Sequence, residues 1–282
     1  MCATRIPSRS QSRHPDPAVL AALRARLAVL GGTGPQPAGV SVATLGVAAV
    51  DQALPWAGLP RACLHELVAA DASGAASGFA AVLLARLAGE QGSVVWCRRE
   101  RGLYGPGLAA FGLDADRLIV VHARTDADLL WAMEEGLRSG AVAAVLGESR
   151  KTGRIALRRL QLAAELAGVT ALLLRPAGDG MSPASSAVTR WRIVAAASHA
   201  EPPAEGIAAP GVGPPCWQVE LVRCRVGMPG MDHVERAAAG SGAPRSWLLE
   251  WRDEARGLVV AAPSGDRPAR PTAPRHDVRL AG

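Results

Sequence analysis

Twenty residues, Leu64 to Leu83, constrain this chain more than any others: L-H-E-L-V-A-A-D-A-S-G-A-A-S-G-F-A-A-V-L. A short apolar run that favours a strand is followed by a turn of small residues and then by an apolar helix. That is the layout of a phosphate-binding loop, G-x-x-x-x-G-K-[ST]. In such a loop backbone N–H groups cradle phosphates, the Lys reaches the β/γ-phosphates and the hydroxyl holds Mg²⁺. At the eight positions concerned the chain reads Ala69-Ala70-Asp71-Ala72-Ser73-Gly74-Ala75-Ala76. Only the second glycine, Gly74, is kept. Ala69 replaces the first, and Ala75 and Ala76 replace the Lys and the Ser/Thr. A second register, Gly74-Ala75-Ala76-Ser77-Gly78, lacks a Lys too, because the chain has a single one, Lys151. The sequence predicts a loop with the shape of a phosphate cradle and without its chemistry, so no cofactor and no metal is expected there.

The flanking pattern supports an α/β domain. Apolar strand-like runs at 40–44, 93–97, 117–122, 141–146, 169–174 and 189–195 alternate with helical patterns at 78–87, 126–139 (capped near Thr125) and 155–167. Such alternation over residues 40–197 predicts a mostly parallel sheet with helices on both faces. Arg98-Arg99-Glu100-Arg101 follows one strand directly, and ligand sites in open α/β sheets lie beyond strand C-termini. His65 and His122 read as ordinary strand residues.

Outside this core the composition changes. Residues 1–39 read as a disordered start and a helical arm, in which Leu20, Leu23, Leu27 and Leu30 form one stripe. The stripe either packs on its own domain or docks on a partner. Residues 198–215 are a Pro/Gly/Ala-rich linker, 216–262 a small C-terminal β module, and 263–282 a basic disordered tail. In the module, Trp217, Trp247 and Trp251 either form its core or contact a partner, residue types enriched at binding hot spots. Five scattered Cys form no C-x-x-C pair, which favours reduced thiols in a cytosol, with Cys216 and Cys224 open to meeting across a hairpin. No run is long and apolar enough for a membrane span and no secretory signal is expected. The formal charge of +6 is compatible with proximity to DNA and does not establish it.

Several stretches taken together resemble the RecA recombinase core. One is L-G-V-A-A-V-D-Q-A-L-P-W-A-G-L-P-R-A-C-L-H-E-L, which leads into the loop. Glu100 in W-C-R-R-E-R-G-L-Y stands where RecA-like proteins place a catalytic Glu. Glu148 in S-G-A-V-A-A-V-L-G-E-S stands at the Walker B Asp. The chain departs from RecA at Ala69, Ala75 and Ala76, in short segments where RecA has DNA-binding loops (150–154 and 176–186), and at Arg175-Pro176, where a sensor Gln is expected.

A degenerate core of this kind followed by W-x-V-E-L-x-R-C-R and W-L-L-E-W is similar to the ImuA family. Further shared stretches are L-L-W-A-M-E-E (Leu129–Glu135), R-R-L-Q-L-A-A-E (Arg158–Glu165), L-L-L-R-P (Leu172–Pro176) and A-V-T-R-W-R-I (Ala187–Ile193). The resemblance implies a non-enzymatic accessory protein of damage-induced (SOS) translesion synthesis, cytoplasmic and nucleoid-associated after damage. Its implied partners are ImuB, an error-prone C-family DNA polymerase and RecA. Some relatives carry a SulA-like label, which implies instead a division inhibitor that binds FtsZ. A RecA-like ATPase is the third alternative, with Asp71, Glu100 and Glu148 as its acidic groups.

Overall fold

The computed structural model describes residues 41–178, 185–198, 213–225 and 246–261. The chain divides between Val40 and Ser41, and everything described belongs to the second part. The expected arm with Leu20, Leu23, Leu27 and Leu30, most of the expected linker and the expected tail lie outside the described residues.

The main sheet holds nine strands: β3 (Leu64–Ala69), β4 (Val94–Arg98), β5 (Leu118–His122), β6 (Ala144–Glu148), β7 (Thr170–Arg175), β8 (Thr189–Ala195), β9 (Cys216–Cys224), β10 (Ser246–Arg252) and β11 (Gly257–Val260). Their order is β11-β10-β9-β8-β3-β7-β6-β4-β5. Pairing is parallel from β5 through to β8 and antiparallel from β8 to β11. A separate ribbon pairs β1 (Val42–Ala43) with β2 (Leu59–Pro60). The helices are α1 (Ala48–Asp51), α2 (Ala75–Ala88), α3 (Gly105–Ala109), α4 (Asp126–Arg138) and α5 (Arg154–Ala167).

The inner parallel strands β4, β6 and β7 are largely apolar, buried runs because helices cover both faces, whereas the edge strand β5 leaves Ile119 and Val120 exposed. On one face α4 and α5 pack Leu129, Met133, Leu137, Leu157 and Leu160 against Leu64, Val145 and Leu173. On the other lies α2, whose run of Ala and Leu is buried around most of its circumference. Thr125 starts α4 with a reciprocal capping box: Asp128 N donates to Thr125 Oγ1, and Thr125 N to Asp128 Oδ2, each at 3.1 Å. Gly147 in β6 is required by space, since a Cβ there would collide with the Met133 sulfur.

The C-terminal strands form as the alternation predicts, but they continue the core sheet rather than standing apart from it. The register of β9 along β8 runs from Thr189↔Cys224 to Ala195↔Trp217. Trp217 packs edge-on to Phe79 of α2 at 6.0 Å between centroids, and its Nε1 donates to Ala75 O at 2.8 Å. Phe111 bridges Trp217 and Trp251, at 5.7 Å from each. Unpaired β edges and an apolar sheet face both gain by joining a neighbouring sheet. Cys216 and Cys224 do not meet across a hairpin: they occupy the two ends of one nine-residue strand.

Candidate functional site

The loop after β3 runs in the expected strand–turn–helix order into α2. Gly74 sits at the N-terminus of α2 with φ 79°, in the left-handed region that glycine tolerates best. What fills the loop is its own side chains. Asp71 Oδ1 accepts from Ser73 N at 2.9 Å and also from the Ser73 hydroxyl. Asp71 Oδ2 accepts from Ala195 N of β8 at 2.8 Å. Ser73 Oγ in turn accepts from Ala75 N at 3.2 Å, so the first turn of α2 is capped internally. The Ser73 hydroxyl, then the Ala195 and Ser73 N–H groups, hold the Asp71 carboxyl below the usual carboxylate range. An anion that belongs to the chain thus sits in the loop.

Glu148 ends β6. Trp96 Nε1 donates to its Oε1 at 2.6 Å, and Arg98 Nη2 lies 3.5 Å from Oε2. Burial pushes the Glu148 carboxyl up, against the pull of Arg98 and the Trp96 N–H, with Glu100 adding to the rise. Glu100 lies two residues beyond β4, is largely exposed, and meets Arg150 at 4.0 Å.

These positions share one cleft of about 980 Å³ at the C-terminal ends of the parallel strands. Ala69, Asp71, Gly74, Ala76, Glu100 and Glu148 all border it, whereas Ser73 and Ala75 do not. Sequence reasoning missed Arg124 and Arg150 there, and His122 borders the cleft as well as ending a strand. Their positions just past β5 and β6 are the signal that would have found them. Most of the arginines are taken: Arg98 by Glu148, Arg99 by Asp126 at 3.7 Å and Arg150 by Glu100. With Ala75 and Ala76 in place of Lys and Ser/Thr, the loop offers neither a cation for a phosphate chain nor a hydroxyl for its metal.

Other expected site residues lie elsewhere. Trp217, Trp247 and Trp251 are all buried, so they are core and not a partner-facing surface. Arg175, at the sensor position, turns away from the cleft into a sealed triad: its Nε donates to Glu66 Oε1 at 3.0 Å while Arg190 Nε donates to Glu66 Oε2 at 2.7 Å. On the opposite face of β3, His65 links Thr189 Oγ1 (2.7 Å to Nδ1) with Pro60 O (2.8 Å to Nε2). Burial lowers the His65 pKa to about 4, which keeps it neutral. A neutral ring then donates from Nε2 and accepts at Nδ1.

Exposed large apolar side chains lie on α4 and α5, and also at Tyr104, at Ile119 and Val120 of β5 and at Val260 of β11. Ile155, Leu162 and Leu166 form a stripe down the outer face of α5, with Leu166 89% exposed, and Trp131 of α4 is 63% exposed. Spacings of seven and four residues put the three on one side of the helix.

No protein-family model matches the sequence. Among solved structures the fold is similar to the KaiC-like protein PH0186 from Pyrococcus horikoshii OT3. The TM-score is 0.50 at 16% identity, covering 79% of this chain and 100% of the other. That likeness concerns the fold alone. Protein ImuA from Caulobacter vibrioides is 39% identical over 214 residues, in strain NA1000 / CB15N and in strain ATCC 19089 / CIP 103742 / CB 15 alike. The match takes in 71% of this chain and 86% of the relative. With a RecA-like sheet and identity of this extent over most of both sequences, the chain belongs to the ImuA family.

Proposed function

We propose that this protein is a non-enzymatic accessory factor of damage-induced translesion DNA synthesis. It acts as an adaptor between ImuB, an error-prone C-family polymerase and RecA, in the cytoplasm and at the nucleoid after damage. The observation that carries the reading is the self-filled loop. Asp71 occupies it, and Ala75 and Ala76 supply nothing to a triphosphate. With no Lys in the loop itself, a phosphate placed there would meet the Asp71 carboxylate without a loop cation to offset it, which is unfavourable. A RecA-like scaffold without nucleotide chemistry is free to serve as a surface. The α5 stripe of Ile155, Leu162 and Leu166 supports partner binding, since exposed large apolar groups along one helix face mark interaction sites.

Co-purification tests the adaptor reading. The parent chain should retain ImuB, and Leu162→Glu/Leu166→Glu should lose it with an unchanged melting temperature. Retention of ImuB by that variant would move the surface elsewhere, and failure of the parent chain to retain ImuB would end the reading. Calorimetric titration with Mg-ATP should give no heat of binding; a micromolar site would overturn the non-enzymatic part.

A further inference from the structure

A second group of arginines lies on the sheet face that α5 packs against, and none of them borders the cleft. Arg190 of β8 stands directly across the strand pair from Arg223 of β9. Like charges placed opposite each other in a sheet are destabilising unless something compensates them. Glu66 compensates Arg190 and Arg175. Arg223 and Arg225 have no such partner among the described residues. Each is held by a backbone carbonyl: Arg223 Nη1 donates to Ser185 O at 3.1 Å, and Arg225 Nη1 to Ser186 O at 2.9 Å. From α5, exposed Arg158 and Glu165 face Arg225. Arg175 is itself buried and keeps Nη2 without a hydrogen-bond partner among the described residues.

Five guanidinium groups therefore converge on two carboxylates. The excess positive charge is partly desolvated, which is costly until an anion compensates it. Burial first, and then neighbouring arginines, push the Arg223 and Arg225 guanidinium groups below the ordinary arginine value. Both side chains remain partly open to solvent, so an anion can reach them.

We propose that this cluster binds the phosphate groups of a nucleic-acid strand, with Arg223 and Arg225 as the contacting forks. The planar guanidinium matches phosphate oxygens two at a time, which a lysine ammonium does not. Arg158, Arg225 and Arg223 lie side by side from α5 onto β9, so several consecutive phosphates can be neutralised at once. The carbonyls of Ser185 and Ser186 hold the two forks in place beforehand. The assignment stands independently of the adaptor reading, and ImuB co-purification is unaffected by its failure.

The test is fluorescence anisotropy of a labelled thymidine 20-mer with the full chain over a salt series. The parent should bind, with log K falling linearly as log salt rises. Arg223→Gln/Arg225→Gln should bind roughly tenfold or more weakly, with a salt slope shallower by about 1–2. Its melting temperature should stay near the parent's. If that variant unfolds, Arg225→Lys keeps the charge and loses the fork, and should bind several-fold more weakly in a folded chain. Absence of binding at low salt, or full binding by a folded Arg223→Gln/Arg225→Gln chain, overturns the proposal. So does loss of binding on Arg101→Gln/Arg124→Gln with the cluster intact, which would place the site in the cleft. Poly-glutamate competing as well as the oligonucleotide would show an acidic protein segment as the ligand. Inorganic pyrophosphate competing equally well would show a free phosphate compound.

Discussion

Glu66 and Glu148 lie two strands apart in one parallel sheet and each takes an arginine, yet they do opposite things. Glu66 is fully buried and both of its oxygens are used, by Arg175 and Arg190. It sits on β3, paired parallel with both β7 and β8, one strand before the change to antiparallel pairing at β8–β9. Glu148 sits at a strand end with an Arg98 contact of 3.5 Å and part of its side chain open to the cleft. The first is a seam, in which one carboxylate bridges two arginines out of water. The second borders a site, where burial works against the charge and solvent relieves it. Proximity of Glu to Arg does not by itself identify a functional group; what decides is whether water or a ligand can reach it.

Breaking the seam should have the largest effect. Glu66→Gln keeps the volume and removes the carboxylate that Arg175 and Arg190 share, and removing one partner of a buried ion set costs about 3–5 kcal/mol. Thermal unfolding followed by circular dichroism should show a drop on the order of 10 °C for a domain of this size. A drop of only a degree or two would show that water or another residue already serves the two arginines.

Acid should act on the opposite face of the same strand, through His65. Its folded pKa of about 4 lies below the unfolded value of 6.5. The unfolded state therefore binds the proton first, and the stability due to neutral His65 is whole above pH 6.5 and lost as the pH falls towards 4. The loss amounts to about 3 kcal/mol over that window. Urea midpoints at pH 7, 5.5 and 4.5 should fall in that order, and His65→Gln should flatten the fall. An equally steep fall in His65→Gln would assign it to other groups.

Glu148→Gln should have the smallest effect, and of opposite sign to Glu66→Gln. Burial raises the folded pKa of Glu148, so its charge costs stability as the pH rises through that range. Gln retains an oxygen for the Trp96 N–H and removes the desolvated charge. Stability at pH 7 should therefore be unchanged or slightly higher, within about 1 kcal/mol. A loss as large as that of Glu66→Gln would place Glu148 in the structural core instead of at a site.

The positions of strands and helices were legible in the sequence because the signals for them are local. β8 runs over Thr189–Ala195 as the apolar run indicates, and Thr125 caps α4 as its neighbours indicate. The degeneracy of the loop was equally legible, since a missing Lys and Ser/Thr at Ala75 and Ala76 is a fact of composition at fixed positions. The outer face of α5 was not. Leu157 and Leu160 face the core while Leu162 and Leu166 face solvent, and apolar identity alone does not tell the two sets apart.

The sequence by itself determined the order of elements, the RecA-like resemblance and the absence of a Lys and a Ser/Thr from the loop, because each depends on residues that are neighbours along the chain. Only the tertiary structure decided that β9–β11 join the core sheet, that the three tryptophans turn inward onto α2 and its surroundings, that Asp71 fills the loop, and that Arg175 leaves the sensor position to meet Glu66. Each of those is a contact between residues far apart in sequence. Ala195 and Asp71 are 124 residues apart, and Arg175 and Glu66 are 109. Strand pairing and side-chain burial select such contacts by which surfaces they remove from water, and no local pattern records that choice.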